Sequence, residues 1–556
     1  PLSVLQCTQT LALDGCLLAT TTVRFEWLEG PDANFYAINK NGEYATTTEI
    51  LHNIIVQDFS DYTFEVSAVG TDGATSATST LKVSVASIPV AINEIAWMGT
   101  NVSASDEWIE LRNNTSHTID LTQWVLEATD TKPFIKLTGN ILPHEYRILE
   151  RRNDAVIANI SAGQVYGNGG SQWALGNNGE ELVLSYASST MDSTPSGAWV
   201  AGSNETGAKK TMERISPKES GTETTNWATW GDNVDFIKNG KDNNGDDVLG
   251  TPGSRNSASF QSLNNGEDIT SNLTLFPDTG YYASTTLTVS ASSTLIIKEG
   301  VDISLHKGRL WINGRLVAKG TAENPVVFNT FSDNQTTNNV RFKNSIGTST
   351  LDHVVFENTG GIELNNAKLE VRNSSFFNND TGIELYNKST AQIENTRFAS
   401  STDDTIGAYD DSVVRIASST IINQLDGDAI GVYGSTLIVA STTIDHVHDG
   451  DGISVYDSLF SIASSTIKNI DDGDAVALYN STSTITNTLV QNGSDDGIAI
   501  YGGTATIDAS YISGFTEGVG VYIKSPVIPV TITDTVITGN DISVKTYPNG
   551  AVIITP

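Results

Sequence analysis

The chain of 556 residues carries 31 Lys and Arg against 65 Asp and Glu, a formal net charge of −34. Only 17% of its residues are charged, where about 25% is usual, so the acidity comes from missing bases. That balance argues against nucleic acid or an anionic membrane as a partner, because both require a basic footprint, and it favours cations.

The length predicts three or four domains, and 38% apolar residues suffice for their cores. The two cysteines, Cys7 and Cys16, cannot carry a disulfide scaffold, so a single local disulfide is expected. Together with a composition rich in Ser, Thr, Asn and Gly, it points to an extracellular or cell-surface setting. No stretch approaches the roughly 20 apolar residues of a membrane span. The start at Pro1 rather than Met leads us to expect a signal peptide or longer N-terminal part upstream. Helical periodicity is absent, and alternating Val, Ile, Thr and Tyr runs broken by Gly, Asn and Asp predict an all-β protein. Eight of the nine Trp precede residue 231, which separates a Trp-rich half from a repetitive one.

Residues 1–88 contain FEW at Phe25 to Trp27 and the alternating apolar series Tyr62, Phe64, Val66, Ala68. The segment resembles a fibronectin type III domain, with Trp27 filling the space between sheets and Tyr62 at a tyrosine corner. Residues 89–258 hold AINEIAWMG, SDEWIELRN, ERISP and GTPGSRN. They resemble a bacterial lamin-tail domain, an immunoglobulin-like sandwich. Asp106 and Glu107 are expected on a solvated edge, and the DNNGDD run from Asp242 is expected to be a flexible acidic loop lacking the spacing of an EF-hand. The polar residues 259–276 read as a linker.

From about residue 350 a unit recurs every 21 to 24 residues: TGIELYN, DTIGAYD, DAIGVYG, DGISVYD, DAVALYN, DGIAIYG and EGVGVYI. Such a period predicts a solenoid whose coils stack like residue on like. Aligning the units places Ile383, Ile406, Ile430, Ile453, Val476, Ile498 and Val519 in one column. Tyr386, Tyr409, Tyr433, Tyr456, Tyr479, Tyr501 and Tyr522 form a second, and Ser374, Thr396, Ser419, Thr442, Ser465 and Thr488 a third. With the entry stretch from LTVSASSTLIIKEG onward, residues 277–556 resemble the right-handed parallel β-helices of the pectate-lyase-like superfamily. The expected architecture is thus two immunoglobulin-like β-sandwiches followed by a right-handed parallel β-helix of roughly twelve coils.

Two residues before each core Ile or Val stands an acid, Asp404, Asp428, Asp451, Asp474, Asp496 and Glu517. Asp403, Asp426, Asp449, Asp472 and Asp495 precede several of them. Between residues 402 and 520 the only bases are Arg415 and Lys468. Carboxylates stacked about 5 Å apart repel by roughly 1 to 3 kcal/mol per neighbour, so something must offset the charge. Hard oxygen ligands at short spacing suit Ca²⁺, and a row of Ca²⁺ ions held by the DGD loops is the expectation. The alternative is ordinary turn residues splayed into water. The tyrosine column, Tyr409, Tyr433, Tyr456, Tyr479 and Tyr501, is a candidate strip for a glycan or protein partner, or simply a stack covering the coil edge.

The superfamily resemblance also implies a polysaccharide lyase or hydrolase. A lyase-like site would add an Arg or Lys base to Ca²⁺-binding acids, which Arg415 and Lys468 alone could supply. A hydrolase-like site would add a histidine near paired aspartates, and His446 and His448 lie near Asp449 and Asp451, where they read as exposed turn residues. The repeat is unbroken where a catalytic site should interrupt it. The favoured reading is therefore a structural or adhesive surface protein. Its apolar C-terminal strand, ISVKTYPNGAVIITP, is expected to offer an end-to-end contact between copies, in the extreme a filament.

Overall fold

The computed structural model describes residues 2–4, 7–11, 15–30, 32–168, 170–277, 279–330, 339–528, 530–547 and 552–555. Pro548 to Ala551 and Pro556, part of the C-terminal strand named above, lie outside the described residues. The described chain is all-β apart from short 3₁₀ turns, and it separates into two compact units, residues 1–260 and 261–556.

The first unit holds two hydrophobic cores under sandwich-like sheets. In the first, Phe25, Trp27, Tyr36 and Phe64 are buried between a sheet of Leu2–Val4, Thr22–Trp27 and Leu51–Ile55 and a six-stranded sheet that includes Ser60–Gly70 and Ser79–Val85. The Trp27 ring meets Tyr36 edge-on at 5.4 Å. Tyr62 Oη accepts the Gln57 N–H at 2.9 Å, which ties the crossover as a tyrosine corner does. Cys7 and Cys16 are joined as a disulfide beside this core. The second core lies beneath a six-stranded sheet ordered Gln164–Val165, Tyr146–Glu150, Trp108–Asn113, Val90–Ala96, Met212–Arg214 and Trp227–Thr229. A four-stranded sheet carrying Trp124–Ala128 and Leu182–Tyr186 completes it, with Trp108 and Trp124 fully buried.

Two expectations for this unit need correction. Asp106 and Glu107 are not a solvated edge: both are buried, Glu107 against Arg151 at 2.8 Å and Asp106 against Arg152 at 3.2 Å. Strand alternation assigns a face but does not reveal that a neighbouring strand brings guanidinium groups over it. The run from Asp242 is held from inside rather than flexible. The buried Asp242 carboxylate accepts the Asn244 and Asp246 N–H groups, and Asp247 pairs with Lys241 at 2.6 Å.

Among the described residues the second unit is a parallel β-solenoid of three sheets with 13, 13 and 12 strands, each strand pairing in register with its counterpart one coil on. The polar stretch 259–276 is not a linker. It forms the first coil, with Phe260–Ser262 and Leu273–Leu275 as strands and Leu263, Ile269 and Leu275 in the core. Three apolar side chains at wide spacing suffice there because the second coil lies directly against them. One continuous core runs from Leu263 to Ile532. Within it Phe328, Phe356, Phe376 and Phe398 stack at 4.6 to 5.0 Å.

Corners explain much of the composition. His353, Asn373, Asn395, Ser418, Ser441, Ser464, Asn487, Ala509 and Asp534 all adopt left-handed φ between 45° and 52° or just beyond, to 53° at Ser464. The next residue of most of these corners is the buried Ser or Thr column read from the sequence. Its hydroxyls accept N–H bonds from the preceding coil, as in Thr396 N–H to Ser419 Oγ at 3.1 Å and Thr442 N–H to Ser465 Oγ at 3.1 Å. A second such ladder, Ser389, Ser412, Ser435, Ser458 and Ser481, follows the tyrosines at another corner. Hydroxyls thus supply acceptors where the bending chain leaves sheet pairing, which buried amides require.

Candidate functional site

The strands Ile406–Ala408, Ile430–Tyr433, Ile453–Tyr456, Val476–Tyr479 and Ile498–Tyr501 lie side by side in the 12-stranded sheet. Their alternation predicts that Gly407, Gly431, Ser454, Ala477 and Ala499 face out, yet all five are buried. Two neighbours cover this column. A Cβ built on Gly407 would meet the Tyr409 ring at 2.9 Å, and one on Gly431 would meet Asp404 Oδ2 at 2.7 Å and the Tyr433 ring at 3.4 Å. The tyrosine folds back over its own strand, and the aspartate of the preceding coil closes from the other side. This column of small residues was legible in IGA, IGV, ISV, VAL and IAI, but not as a site feature. In earlier coils the same position holds Glu363 and Glu384, and there Tyr386 Oη donates to Glu384 Oε1 at 3.1 Å.

Along the coils the six rings from Tyr386 to Tyr501 stack nearly parallel, with centroids 4.3 to 5.2 Å apart. Each face is covered by the next ring, so edges and hydroxyls remain for a ligand. Burial, then nearby carboxylates and neighbouring phenols, pushes Tyr433, Tyr479 and Tyr501 up to about 12 and Tyr409 and Tyr456 up as well, so the strip stays neutral.

The aspartates form a ladder of a kind not anticipated. Asp404 Oδ1 accepts the Asp428 N–H at 2.8 Å, Asp428 the Asp451 N–H at 2.8 Å, and Asp451 the Asp474 N–H at 2.8 Å. Asp474 accepts the Asp496 N–H at 3.0 Å, and Asp496 the Val519 N–H at 2.7 Å. One oxygen of each carboxylate thus fastens the next coil, and Ser454 donates to the other oxygen of Asp428. Burial, reinforced by the neighbouring aspartates, raises Asp404 and Asp451 to about 7 and Asp474 to about 8. Burial also raises Asp428 and Asp496. The partner acids Asp403, Asp426, Asp449, Asp472 and Asp495 are exposed. Ligand oxygens of Asp474, Asp495 and Asp496 come within 4.8 Å of one another.

The last repeat departs from the sequence alignment. Val521, not Val519, pairs with Ile498, and Lys524, not Tyr522, pairs with Tyr501. Val519 takes the aspartate place in the ladder, so Glu517 stands outside it and is exposed. Tyr522 tilts 55° from Tyr501 instead of stacking. Val519, Val521 and Ile523 all face inward, so a slip of two residues keeps every side chain on its own face and the alternation cannot choose between registers.

Arg415 and Lys468 lie on the other two sheets, away from the ladder, with Lys468 held by Asp445 at 3.1 Å. His446 and His448 are exposed and bonded to Asp445 and Asp471 at 2.6 and 2.8 Å. The structure therefore brings the aspartates and tyrosines together and leaves Arg415 and Lys468 on other sheets, while Lys524 pairs beside Tyr501 and Lys545 acts on Asp496 at the last coils.

A family model described as right handed beta helix region matches residues 360–505, and this segment is a right-handed β-helix. No curated protein matches the chain. Among solved structures, the chain is similar to a mutant of the periplasmic alginate epimerase AlgG at 14% identity, over 50% of this chain and 77% of that one, with a TM-score of 0.35. It is similar to the catalytic unit of a thermostable GH87 alpha-1,3-glucanase from Streptomyces thermodiastaticus at 14% identity, over 52% and 62%, with a TM-score of 0.31. It is also similar to the A-module of the mannuronan C-5 epimerase AlgE6 of Azotobacter vinelandii at 8% identity, over 53% and 89%, with a TM-score of 0.21.

Proposed function

We propose that the protein is an extracellular or cell-surface structural and adhesive protein whose solenoid presents a cation-binding acidic edge beside a tyrosine strip. The observation that carries this reading is continuity. Ladder and stack run through five successive coils without the interruption a catalytic site requires, and Arg415 and Lys468 sit on other sheets. Stacked carboxylates call for an offsetting charge, and Ca²⁺ fits because its carboxylate ligands need no rigid geometry. Asp474, Asp495 and Asp496 are its best-formed set, and Asp404, Asp426, Asp428, Asp449, Asp451 and Asp472 offer weaker positions along the same edge. The edges and hydroxyls of Tyr409, Tyr433, Tyr456, Tyr479 and Tyr501 are the contact for a glycan or protein partner. Exposed Val536, Ile542, Tyr547, Ile553 and Ile554 are the contact between copies.

Calorimetric titration with Ca²⁺ tests the central claim. Binding that is lost in the Asp474→Asn, Asp495→Asn double variant supports it, and a flat titration of the unaltered chain refutes it. The alternative of a polysaccharide lyase or hydrolase predicts new reducing ends or unsaturated sugars from acidic polysaccharides, and their appearance would displace this reading. Sedimentation at increasing concentration reports on assembly, and a constant monomer would remove that part of the proposal.

A further inference from the structure

A second row of acids lies in the first unit, where the proposed cation edge plays no part. Glu94 pairs in register with Glu110 on one side and Glu213 on the other, so three carboxylates occupy one pleat of three adjacent strands. All three are fully buried. Ile148 continues the row beyond Glu110.

Residues 250–258, which lead into the first solenoid strand, close over these acids. Thr251 N–H donates to Glu94 Oε1 at 2.9 Å, Gly253 N–H to Glu110 Oε2 at 2.6 Å, and Ala258 N–H to Glu213 Oε2 at 2.9 Å. Ser257 Oγ reaches the same Glu213 oxygen at 2.6 Å. From below, Thr211 Oγ1 meets Glu94 at 2.6 Å and Asn93 Nδ2 meets Glu110 at 2.8 Å. The guanidinium groups on these strands are turned elsewhere. Arg214 binds Asp192 and the Ile92 carbonyl, and Arg112 binds the His144 carbonyl at 2.9 Å over the Tyr146 ring. Arg255 is the charged side chain of the covering segment and is half-buried.

Proton counting is decisive at Thr251. Its Oγ1 lies 3.1 Å from Glu94 Oε2, 2.9 Å from Glu213 Oε1 and 3.3 Å from Asn256 Oδ1, among three acceptors, yet a hydroxyl carries one hydrogen. If both carboxylates were ionised, at least one carboxylate contact would press lone pair against lone pair in a fully buried site. A proton on one carboxyl repairs it: that acid donates to Thr251 Oγ1, which donates to the other.

We propose that the Glu94, Glu110 and Glu213 row is a proton-dependent latch, in which a proton shared through Thr251 fastens residues 250–258 to the sheet and its loss releases them. The electrostatics agree. Burial first, then the neighbouring glutamates, raises Glu94 well above the ordinary carboxyl value, and burial raises Glu110 to about 8 and Glu213 to about 7. The closed form therefore holds its proton more tightly than the open form, and opening becomes easier as pH rises.

Hydrogen exchange of the full-length protein, followed by mass spectrometry on peptides spanning 250–258, tests the latch. Because opening releases at least one proton, protection corrected for the intrinsic rate is expected to fall by roughly tenfold or more per pH unit between about pH 5 and 7. Protection that does not change over that window overturns the proposal. Glu94→Gln, which offers an amide donor in place of the protonated oxygen, is expected to keep the segment closed and flatten the slope. An unchanged slope in both Glu94→Gln and Glu213→Gln would also overturn it. The series on the unaltered chain decides the matter even where a variant fails to fold.

Discussion

The two acidic rows set like charges at the same cross-strand spacing and resolve the conflict in opposite ways. In the first unit the glutamates are sealed beneath residues 250–258, and donors from the chain meet five of their six oxygens, the single Thr251 hydroxyl hydrogen serving either Glu94 Oε2 or Glu213 Oε1. Only a proton is small enough to enter. In the solenoid each aspartate commits one oxygen to the next coil, and Asp474 and Asp496 bring carboxylate oxygens within 4.8 Å of the exposed Asp495, where the proposed cation would sit. How much of each carboxylate the protein itself occupies, more than how many acids are present, separates the proposed proton site from the proposed cation site.

The largest effect expected from breaking this contrast is Glu94→Ala. It strands the Thr211 and Thr251 donors in a closed interior and is expected to cost about 3 kcal/mol in denaturant unfolding. Asp451→Ala leaves unpaired an Asp474 N–H whose bond is only partly buried and removes repulsion as well, so about 1 kcal/mol is expected. Equal losses in the two variants would erase the distinction. Next, Ca²⁺ at a hundredfold its dissociation constant is expected to stabilise the solenoid by about 2.7 kcal/mol at pH 8 and to leave exchange in the first unit unchanged. A chelator that leaves every melting transition where it was would contradict this.

The ladder also sets a pH dependence without metal. Asp404, Asp451 and Asp474 are raised from an ordinary 3.8 to about 7 or 8, so the folded form binds protons more tightly than the unfolded one. Their stabilising contribution is complete below about pH 4 and is lost as pH rises through 7 to 8. Thermal melting of the metal-free protein should give a higher midpoint at pH 5 than at pH 8, and Ca²⁺ should close that gap. A midpoint that rises with pH would show that the ladder is ionised throughout. The smallest effect concerns corners. Ser441 sits at φ 50°, where the coils two away on either side place Asn395 and Asn487, and Ser441→Asn is expected to add about 0.5 kcal/mol.

Much of the solenoid is legible without coordinates. The Ile column, the Ser and Thr column and five of the stacked tyrosine contacts follow from a period near 22 residues, because a short unit can bury its apolar side only on its own copy. The linker assignment at 259–276 fails because Leu263, Ile269 and Leu275 look sparse until the next coil is in place. Glu517 and Tyr522 are misplaced because alternation repeats every two residues and tolerates a two-residue slip.

The sequence by itself determined the all-β character, the repeat and the acidic edge, since these depend on local alternation and on copies stacking upon copies. Only the tertiary structure decided which acids matter and how. Asp428 and Asp426 look alike in a DGD loop, yet one carboxylate turns inward to the amide of the next coil while the other stays in water. Glu94, Glu110 and Glu213 are spread over 120 positions of the chain and share no pattern, and strand pairing alone sets them in one row. The physical reason is that a carboxylate takes its chemistry from burial and from the donors around it, and distant segments supply both.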